Sequence, residues 1–419
     1  MRITLLIICI CFSWINGHSQ RDCLSHDYLQ ELKNSDAAAK ENILSQENFI
    51  YRQLNNPDKL LSPIGANAPQ PMIIRIPVVV HVLYNQPSQN ISDAQINAQI
   101  RILNEDFRRL NPDAAGTPAV FSNYAADCQF EFYLAKVDPN GFATNGIIRK
   151  KTNIGVYGLD DRIKYSVKGG DDAWDAAAYL NIWVGNLAGG LVGYSSPLGG
   201  PADKDGVVIR HNAFGKGGTA QAPFNKGRTA THEIGHWMGL QHIWGDMYCG
   251  DDGVEDTPKQ QMASRGCPSG TIASCSNTGN MYMNFMDLTN DECMNMFTVG
   301  QKSRMRAAFA PGGPRYNMLF SHALGEGAPH PAGNKPEVSN PEISVSEIKI
   351  FPNPVSEKLV ILSSENTGSE LMVMNQFGQV LRRISAFTGT YELDVKSFTP
   401  GLYIITDSRR RNALRFIKR

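Results

Sequence analysis

Eleven consecutive residues limit what this chain can become: His232-Glu233-Ile234-Gly235-His236-Trp237-Met238-Gly239-Leu240-Gln241-His242. They read H-E-x-x-H-x-x-G-x-x-H. Two histidines four residues apart on a helix share one face, about one turn apart. Both imidazoles therefore reach one metal ion. Glu233 lies between them, placed to hold a water there and take its proton. Gly239 lets the chain leave the helix, because glycine tolerates positive φ. The turn returns His242 as a third ligand. Three protein nitrogens leave the fourth position of a zinc ion open, which marks a catalytic rather than a structural site. H-E-x-x-H alone arises by chance in helices. The glycine and third histidine at fixed offsets favour zinc over accident.

The rest of the chain says where such a site would work. Its 419 residues suit two or three domains at roughly 150 each. Forty basic residues balance forty acidic ones. No basic excess points to nucleic acid, and there is no acidic tail. Arg2 precedes an apolar run from Ile3 to Ile15, and the small residues Gly17 and Ser19 suit cleavage before Gln20. That order reads as a secretory signal peptide over residues 1–19. No other stretch approaches the roughly 20 apolar residues of a spanning helix, so no mature transmembrane segment is expected. Export gives the cysteines their meaning. Cys9 and Cys11 leave with the signal; Cys23, Cys128, Cys249, Cys267, Cys275 and Cys293 remain. The last four cluster after the zinc motif without a C-x-x-C pair, so two disulfides are a better reading than a second zinc. Three pairings are open. Cys128 sits in a strand-like apolar run and reads as a buried free thiol.

Residues 20 to about 54 are polar and helix-like and read as a pro-segment. The β-branched run from Met72 to Tyr84 reads as a buried strand. Ser92 caps a helix whose apolar positions Ile96, Ile100, Leu103 and Phe107 recur at three and four. Strands are predicted at Gln129–Leu134, Tyr179–Val184 and Gly206–Arg210, before the zinc helix from about Thr229 to Met238. Strands interleaved with helices argue for an α/β domain with a mixed sheet. After His242, Asp246, Asp251, Asp252, Glu255 and Asp256 crowd together with Gly245, Gly250 and Gly253. This loop either binds calcium or is a solvated acidic turn; its spacing is not that of an EF-hand. Residues 311–345 are rich in Pro, Gly, Ser and Asn and read as a linker. Beyond them, short alternating runs at Ile348–Phe351, Lys358–Leu362, Glu370–Met374, Gln379–Leu381 and Leu402–Ile405 predict a small β-sandwich. The basic end from Arg409 to Arg419 reads as a solvated edge strand.

The eleven-residue motif resembles that of the metzincin metallopeptidases, which also carry a methionine turn beneath the zinc; here Asn284-Phe285-Met286-Asp287 fits. Gly227-Arg228-Thr229-Ala230-Thr231, Asp256-Thr257-Pro258 and Cys293-Met294-Asn295-Met296-Phe297-Thr298 narrow the likeness to the pappalysin family, over roughly residues 73 to 310. The resemblance implies His232, His236 and His242 as zinc ligands, Glu233 as general base and acid, and Met286 as the turn methionine. It implies disulfides Cys249–Cys275 and Cys267–Cys293. It also implies calcium in the loop after the third histidine, with Asp246, Asp252, Thr257 and the carbonyl of Glu255 as ligands. Many relatives have tyrosine two residues after the turn methionine; here that residue is Leu288. Arg21-Asp22-Cys23 resembles a cysteine switch, in which Cys23 fills the open zinc position of a zymogen. Phe351-Pro352-Asn353-Pro354, Gly378 and the run Pro400-Gly401-Leu402-Tyr403 resemble the C-terminal sorting domain of type IX secretion cargo.

The expected fold is an α/β metzincin-type catalytic domain, a mixed twisted sheet plus an active-site helix, followed by a small all-β sandwich. The expected order is signal peptide 1–19, pro-segment 20–54, catalytic domain 55–310, linker 311–345 and sorting domain 346–419. The expected activity is a secreted, zinc-dependent endopeptidase made as a zymogen, acting on proteins or peptides and delivered by the type IX machinery. Relatives favour arginine just after the scissile bond, so Tyr51–Arg52 is an expected self-cleavage site. Two other readings compete. One is a surface adhesin with a relict peptidase core, against which the full ligand set speaks. The other is an amidase or deacetylase using the same zinc chemistry.

Overall fold

The structure is a computed structural model. It describes residues 22–55, 73–325, 348–352, 354–363, 370–375, 379–385, 387–407 and 413–419. The expected signal peptide, Arg21, the start of the catalytic domain at 55–72, most of the linker, Asn353 and Gly378 lie wholly or partly outside these residues. The described chain falls into two compact units divided near residue 327.

The first unit is built on β2 (Ile74–Tyr84). Its β-branched residues are buried from Ile76 to Leu83. A strand buried on both faces needs parallel neighbours. β3 (Phe130–Leu134) pairs with the first half of one edge and β4 (Ile147–Lys151) with the second half. β5 (Leu180–Gly185) pairs with the other edge from Val78 onward, and β7 (Val207–Arg210) follows it, all parallel. β6 (Leu191–Ser195) closes the series antiparallel to β7, so the sheet is mixed, as the sequence implied. The helix after Ser92 runs over Asp93–Phe107, with Ser92 Oγ accepting from Gln95 N. It buries Ile96, Leu103 and Phe107 against the sheet, while Ile100 is only half-buried.

Residues 22–54 pack on the same unit. Asp22–Cys23 form β1, which adds in parallel to the free edge of β6. Two helices follow, α1 (Ser25–Ser35) and α2 (Ala37–Leu54). Within α2, Asp36 caps the start and Ile43 and Ile50 are buried. Counting onward, the helix after Ser92 is α3, the zinc-motif helix Arg228–Trp237 is α4 and Val299–Ala307 is α5. No helix among the described residues is long and apolar enough to cross a membrane.

Among the described residues, the second unit holds seven strands in two antiparallel sheets. One has the order β11 (Val380–Ile384), β10 (Leu371–Asn375), β13 (Gly401–Asp407) and β14 (Ala413–Lys418). The other has β12 (Gly389–Asp394), β9 (Lys358–Ser363) and β8 (Ile348–Phe351). Leu359, Ile361 and Leu393 from one sheet share a core with Leu371, Val373, Ile405 and Phe416 from the other. This is a sandwich. β14 lies at a sheet edge, as expected, but buries Phe416 and Lys418 rather than being wholly solvated, and the start of the basic run lies outside the described residues. β12 carries only Leu393 buried and lacked a readable apolar pattern.

The expected linker begins too early at 311. Arg315 is buried, with Nη1 donating to Asp205 Oδ2 at 2.7 Å and its guanidinium 3.8 Å above the Trp237 ring. Trp237 Nε1 donates to the other oxygen of Asp205 at 2.6 Å. Met318 and Ala323 are buried, and Lys136 N donates to Ala323 O. Proline and glycine gave residues 311–325 a linker's composition, but a buried ion pair and apolar anchors tie them to the first unit. Removing one partner of a buried pair costs about 3–5 kcal/mol. Arg315→Ala should therefore lower the melting temperature of the first unit markedly in calorimetry, an effect a true linker residue would not have.

Candidate metal centre

The active-site helix is fixed from its N-terminus. Arg228 is buried; its Nε lies 3.0 Å from Asp106 Oδ2 and its backbone N–H donates to Asp291. Thr231 Oγ1 donates to the same Asp106 oxygen at 2.6 Å. Burial pushes the Asp106 carboxyl up to about 7 against the pull of Arg228. At its other end α4 closes in a Schellman turn. Gly239 takes φ +94, its N–H donates to His236 O, and Leu240 N–H donates to Gly235 O. A Cβ on Gly239 would come within 2.6 Å of Leu198. Within α4, a Cβ on Gly235 would come within 2.5 Å of Met286 Sδ. The turn methionine thus packs under the helix where only glycine fits.

This frame brings three histidines together. His236 Nε2 lies 3.1 Å from both His232 Nε2 and His242 Nε2. Each ring gives its Nδ1 proton to an oxygen that can only accept. His232 donates to Phe285 O at 2.7 Å, in the methionine turn. His236 donates to Leu240 O at 2.9 Å, in the Schellman turn. His242 donates to Asp246 Oδ1 at 2.5 Å, and Trp244 stacks on its ring at 4.2 Å. With Nδ1 protonated, the three Nε2 atoms bear converging lone pairs, which repel unless a cation lies among them. Two nitrogens at zinc's bond length of about 2.0–2.1 Å and a tetrahedral angle stand about 3.3–3.4 Å apart, so the donor set fits that ion. Burial, then His242, pushes His236 down to about 3, so it stays neutral and able to ligate.

β1 lays Cys23 over this cluster, with Sγ 3.5 Å from His236 Nε2 and 3.7 Å from Glu233 Oε2. Cys23 and the three histidines are one of two groups of potential metal ligands among the described residues. The other is the exposed Cys267–Cys293 disulfide with Glu292. Burial, then Glu233, holds the Cys23 thiol well above its ordinary range. Ser25 Oγ donates to Glu233 Oε2 at 2.8 Å and accepts from Ser195 N–H at 2.9 Å. His26 Nδ1 lies 3.1 Å from the second oxygen of Asp246. Neither Ser25 nor His26 was legible in the sequence. Both follow Cys23 at the start of α1, and only pairing of β1 with β6 aims them at the site.

The loop after His242 divides its acids. Both oxygens of Asp246 are committed to His242 and His26, so this expected calcium ligand instead supports the third histidine. Asp252 is buried, with Thr257 Oγ1 at 2.8 Å, and burial raises its carboxyl to about 7. Asp256 caps α5 by accepting from Gly300 N–H and Thr298 Oγ1. Asp251 pairs with Lys259, and Glu255 is exposed. No three acids of this loop converge among the described residues. The disulfides are Cys249–Cys275 and Cys267–Cys293. Cys128 is a buried free thiol.

The chain is similar to known proteins. Residues 164–310 match the peptidase family described as pregnancy-associated plasma protein-A, and residues 349–417 match the secretion system C-terminal sorting domain. An extracellular metalloprotease of Arthroderma benhamiae is 31% identical over 258 residues, 58% of this chain and 81% of that one. Mature mirolysin of Tannerella forsythia, solved with a cleaved peptide, is 47% identical with TM-score 0.60, covering 62% of this chain and all of that one. A variant of promirolysin from the same organism is 42% identical with TM-score 0.66, covering 74% of this chain and all of that one. The chain belongs to the pappalysin family and is a secreted metalloendopeptidase with a type IX C-terminal sorting domain.

Proposed function

We propose that the three-histidine cluster holds the catalytic zinc, that Glu233 is the general base and acid, and that residues 20–54 are a pro-segment that blocks both. The observation that carries this reading is one convergence. Three Nε2 atoms, Cys23 Sγ and Glu233 Oε2 meet where β1 pairs alongside the first half of β6. Bound zinc would polarise the scissile carbonyl and acidify the attacking water. Glu233 Oε2, the oxygen that Ser25 contacts here, then takes the water proton and delivers it to the leaving amine nitrogen. The share of the chain matched rises from 62% for mature mirolysin to 74% for promirolysin, which supports a removable N-terminal segment. The sorting domain's C-terminal place and the signal sequence support delivery through the type IX machinery, with proteins or peptides as substrates.

Calcium remains part of the proposal with a narrower ligand set. Asp252, Thr257 and the Glu255 carbonyl stay; Asp246 does not. Burial raises this carboxyl to about 7, with Thr257 and Arg304 offsetting it only in part, and a divalent cation would offset the rest. Preference for arginine after the cut keeps Tyr51–Arg52 in view. Both residues are exposed in the last turn of α2, so cutting there requires that turn to unwind.

Three outcomes are expected. Wild-type full chain should lose its N-terminal segment and hydrolyse casein, with a new N-terminus at Arg52 in mass spectrometry. Glu233→Ala should do neither; retained processing and hydrolysis in that variant would overturn the proposal. Asp246→Ala should weaken zinc binding of the processed enzyme about 10–100-fold in chelator competition, because His242 loses the acceptor that orients it. Added calcium should raise the melting temperature of the wild type, and Asp252→Asn should abolish that rise.

A further inference from the structure

Tyr28 turns away from the metal site. Gly193 of β6 faces Glu233, because a Cβ there would come within 3.0 Å of its Cγ. Tyr194, the next residue, faces the opposite side of the sheet. Tyr28, in the first turn of α1, reaches over the sheet edge onto that side. Its ring centroid lies 5.3 Å from that of Tyr194, and it is buried. The phenol donates to Asp161 Oδ2 at 2.7 Å. Lys164 Nζ lies 3.5 Å from the same hydroxyl and 3.0 Å from Asp161 Oδ1. That ammonium is fully buried and sits 4.9, 5.6 and 5.0 Å from the ring centroids of Tyr28, Trp183 and Tyr194.

These atoms form a receptor for a phenol. The carboxylate accepts from the hydroxyl, the ammonium faces the ring, and aromatic walls exclude water. Asp161 takes a left-handed backbone conformation, φ +57, which aspartate adopts more readily than most residues with a side chain. None of the four receptor residues touches the metal cluster. The contact of Cys23 with that cluster gains its strength from a metal; the grip on Tyr28 does not. Two further contacts act alongside it, Asn42 Nδ2 donating to Gly199 O and Glu47 pairing with Arg304.

We propose that Asp161, Lys164, Trp183 and Tyr194 form a tyrosine-binding pocket that keeps the pro-segment attached after its link to the catalytic chain is cut. This rests on reading residues 20–54 as a pro-segment. Cleavage at the end of α2 then yields a nicked, still covered enzyme, and loss of the segment is a separate step that the pocket governs. Phenylalanine would fill the aromatic walls but leave the bond to Asp161 unmade.

The test uses the full chain, cut after α2 by its own activity or by trypsin at Arg52. Retention of the cut segment is followed by gel filtration with mass spectrometry, and its release by the lag before peptide hydrolysis begins on dilution. The wild-type segment should co-elute with the enzyme. Tyr28→Phe should release it about ten- to hundred-fold faster, as expected for a lost bond to a buried charge. In an Asp161→Ala background, which removes the acceptor, Tyr28→Phe should add nothing further. Equal retention of the wild-type and Tyr28→Phe segments would overturn the pocket, and needs no Asp161 variant to fold. The uncut and fully processed chains are assayed in parallel. Equal activity in these two would overturn the pro-segment reading instead, so the two failures are distinguishable.

Discussion

Three Nδ1 protons, each given to a different oxygen, set up the site. Helical spacing puts His232 and His236 on one face, but it does not choose which ring nitrogen carries the proton. The carbonyl of Phe285, the carbonyl of Leu240 and the carboxylate of Asp246 make that choice. They come from the methionine turn, the end of the helix and the loop beyond the third histidine. Each piece of backbone is held for its own reasons. The methionine turn is braced by reciprocal amide bonds between Asn284 and Gln301. The Schellman turn needs positive φ at Gly239. The loop is tied by two disulfides, each closing 26 residues of separation, which by loop entropy is about 3–4 kcal/mol apiece. The ligand set is thus only as firm as three distant turns.

The covering segment exploits the same edge geometry that a sheet offers any extended chain. β6 has one paired side and one open side, and β1 takes the open one. Two residues of pairing are weak by themselves. They suffice because residues of this segment reach different targets: Cys23 the histidines, Ser25 the Glu233 carboxylate, His26 the carboxylate behind His242, and Tyr28 the far face of the sheet. Gly193 is the condition for this closeness, since Glu233 and Val208 O crowd its α-carbon. That glycine also hid β6 from the sequence reading, because it interrupts the alternation by which a strand is recognised.

What was legible follows from range. Ser92 capping its helix, the β-branched run of β2 and the two-sheet pattern after residue 348 are local signals, and they matched. The zinc motif is local too, because helix period and one glycine generate it. The misplaced features depend on partners that the local pattern does not name, most of them far off in sequence. Arg315 reads as linker until Asp205 and Trp237 are seen beneath it. Asp246 counts as one acid among five until His242 and His26 take its two oxygens. Asp256 belongs to the same cluster by composition, yet its place is at the start of α5. An acidic loop advertises negative charge without saying which carboxylates are already paired; burial and partner geometry decide that. The pairing of the four clustered cysteines was open to three solutions for the same reason.

Leu288 shows how far the site departs from the pattern its motif implies. A tyrosine at that position would offer a hydroxyl to the reacting carbonyl. Leucine offers none, and its side chain is buried. The backbone does not compensate, because Leu288 N–H already donates to Asp287 Oδ1 at 2.8 Å. Asp287 is in turn held by Gln260 Nε2 and Ser264 N–H, so this bond is one link in a closed buried network. Releasing the N–H toward a substrate would leave a buried carboxylate short of a donor, a cost of about 1–3 kcal/mol or more. Residue 288 therefore serves the methionine turn rather than the reacting carbonyl. On the proposed reading, stabilisation of charge on the carbonyl oxygen would therefore fall to the bound zinc, and proton transfer to Glu233. On that reading, the orientation set by the three Nδ1 bonds matters more than it would with a hydroxyl at residue 288.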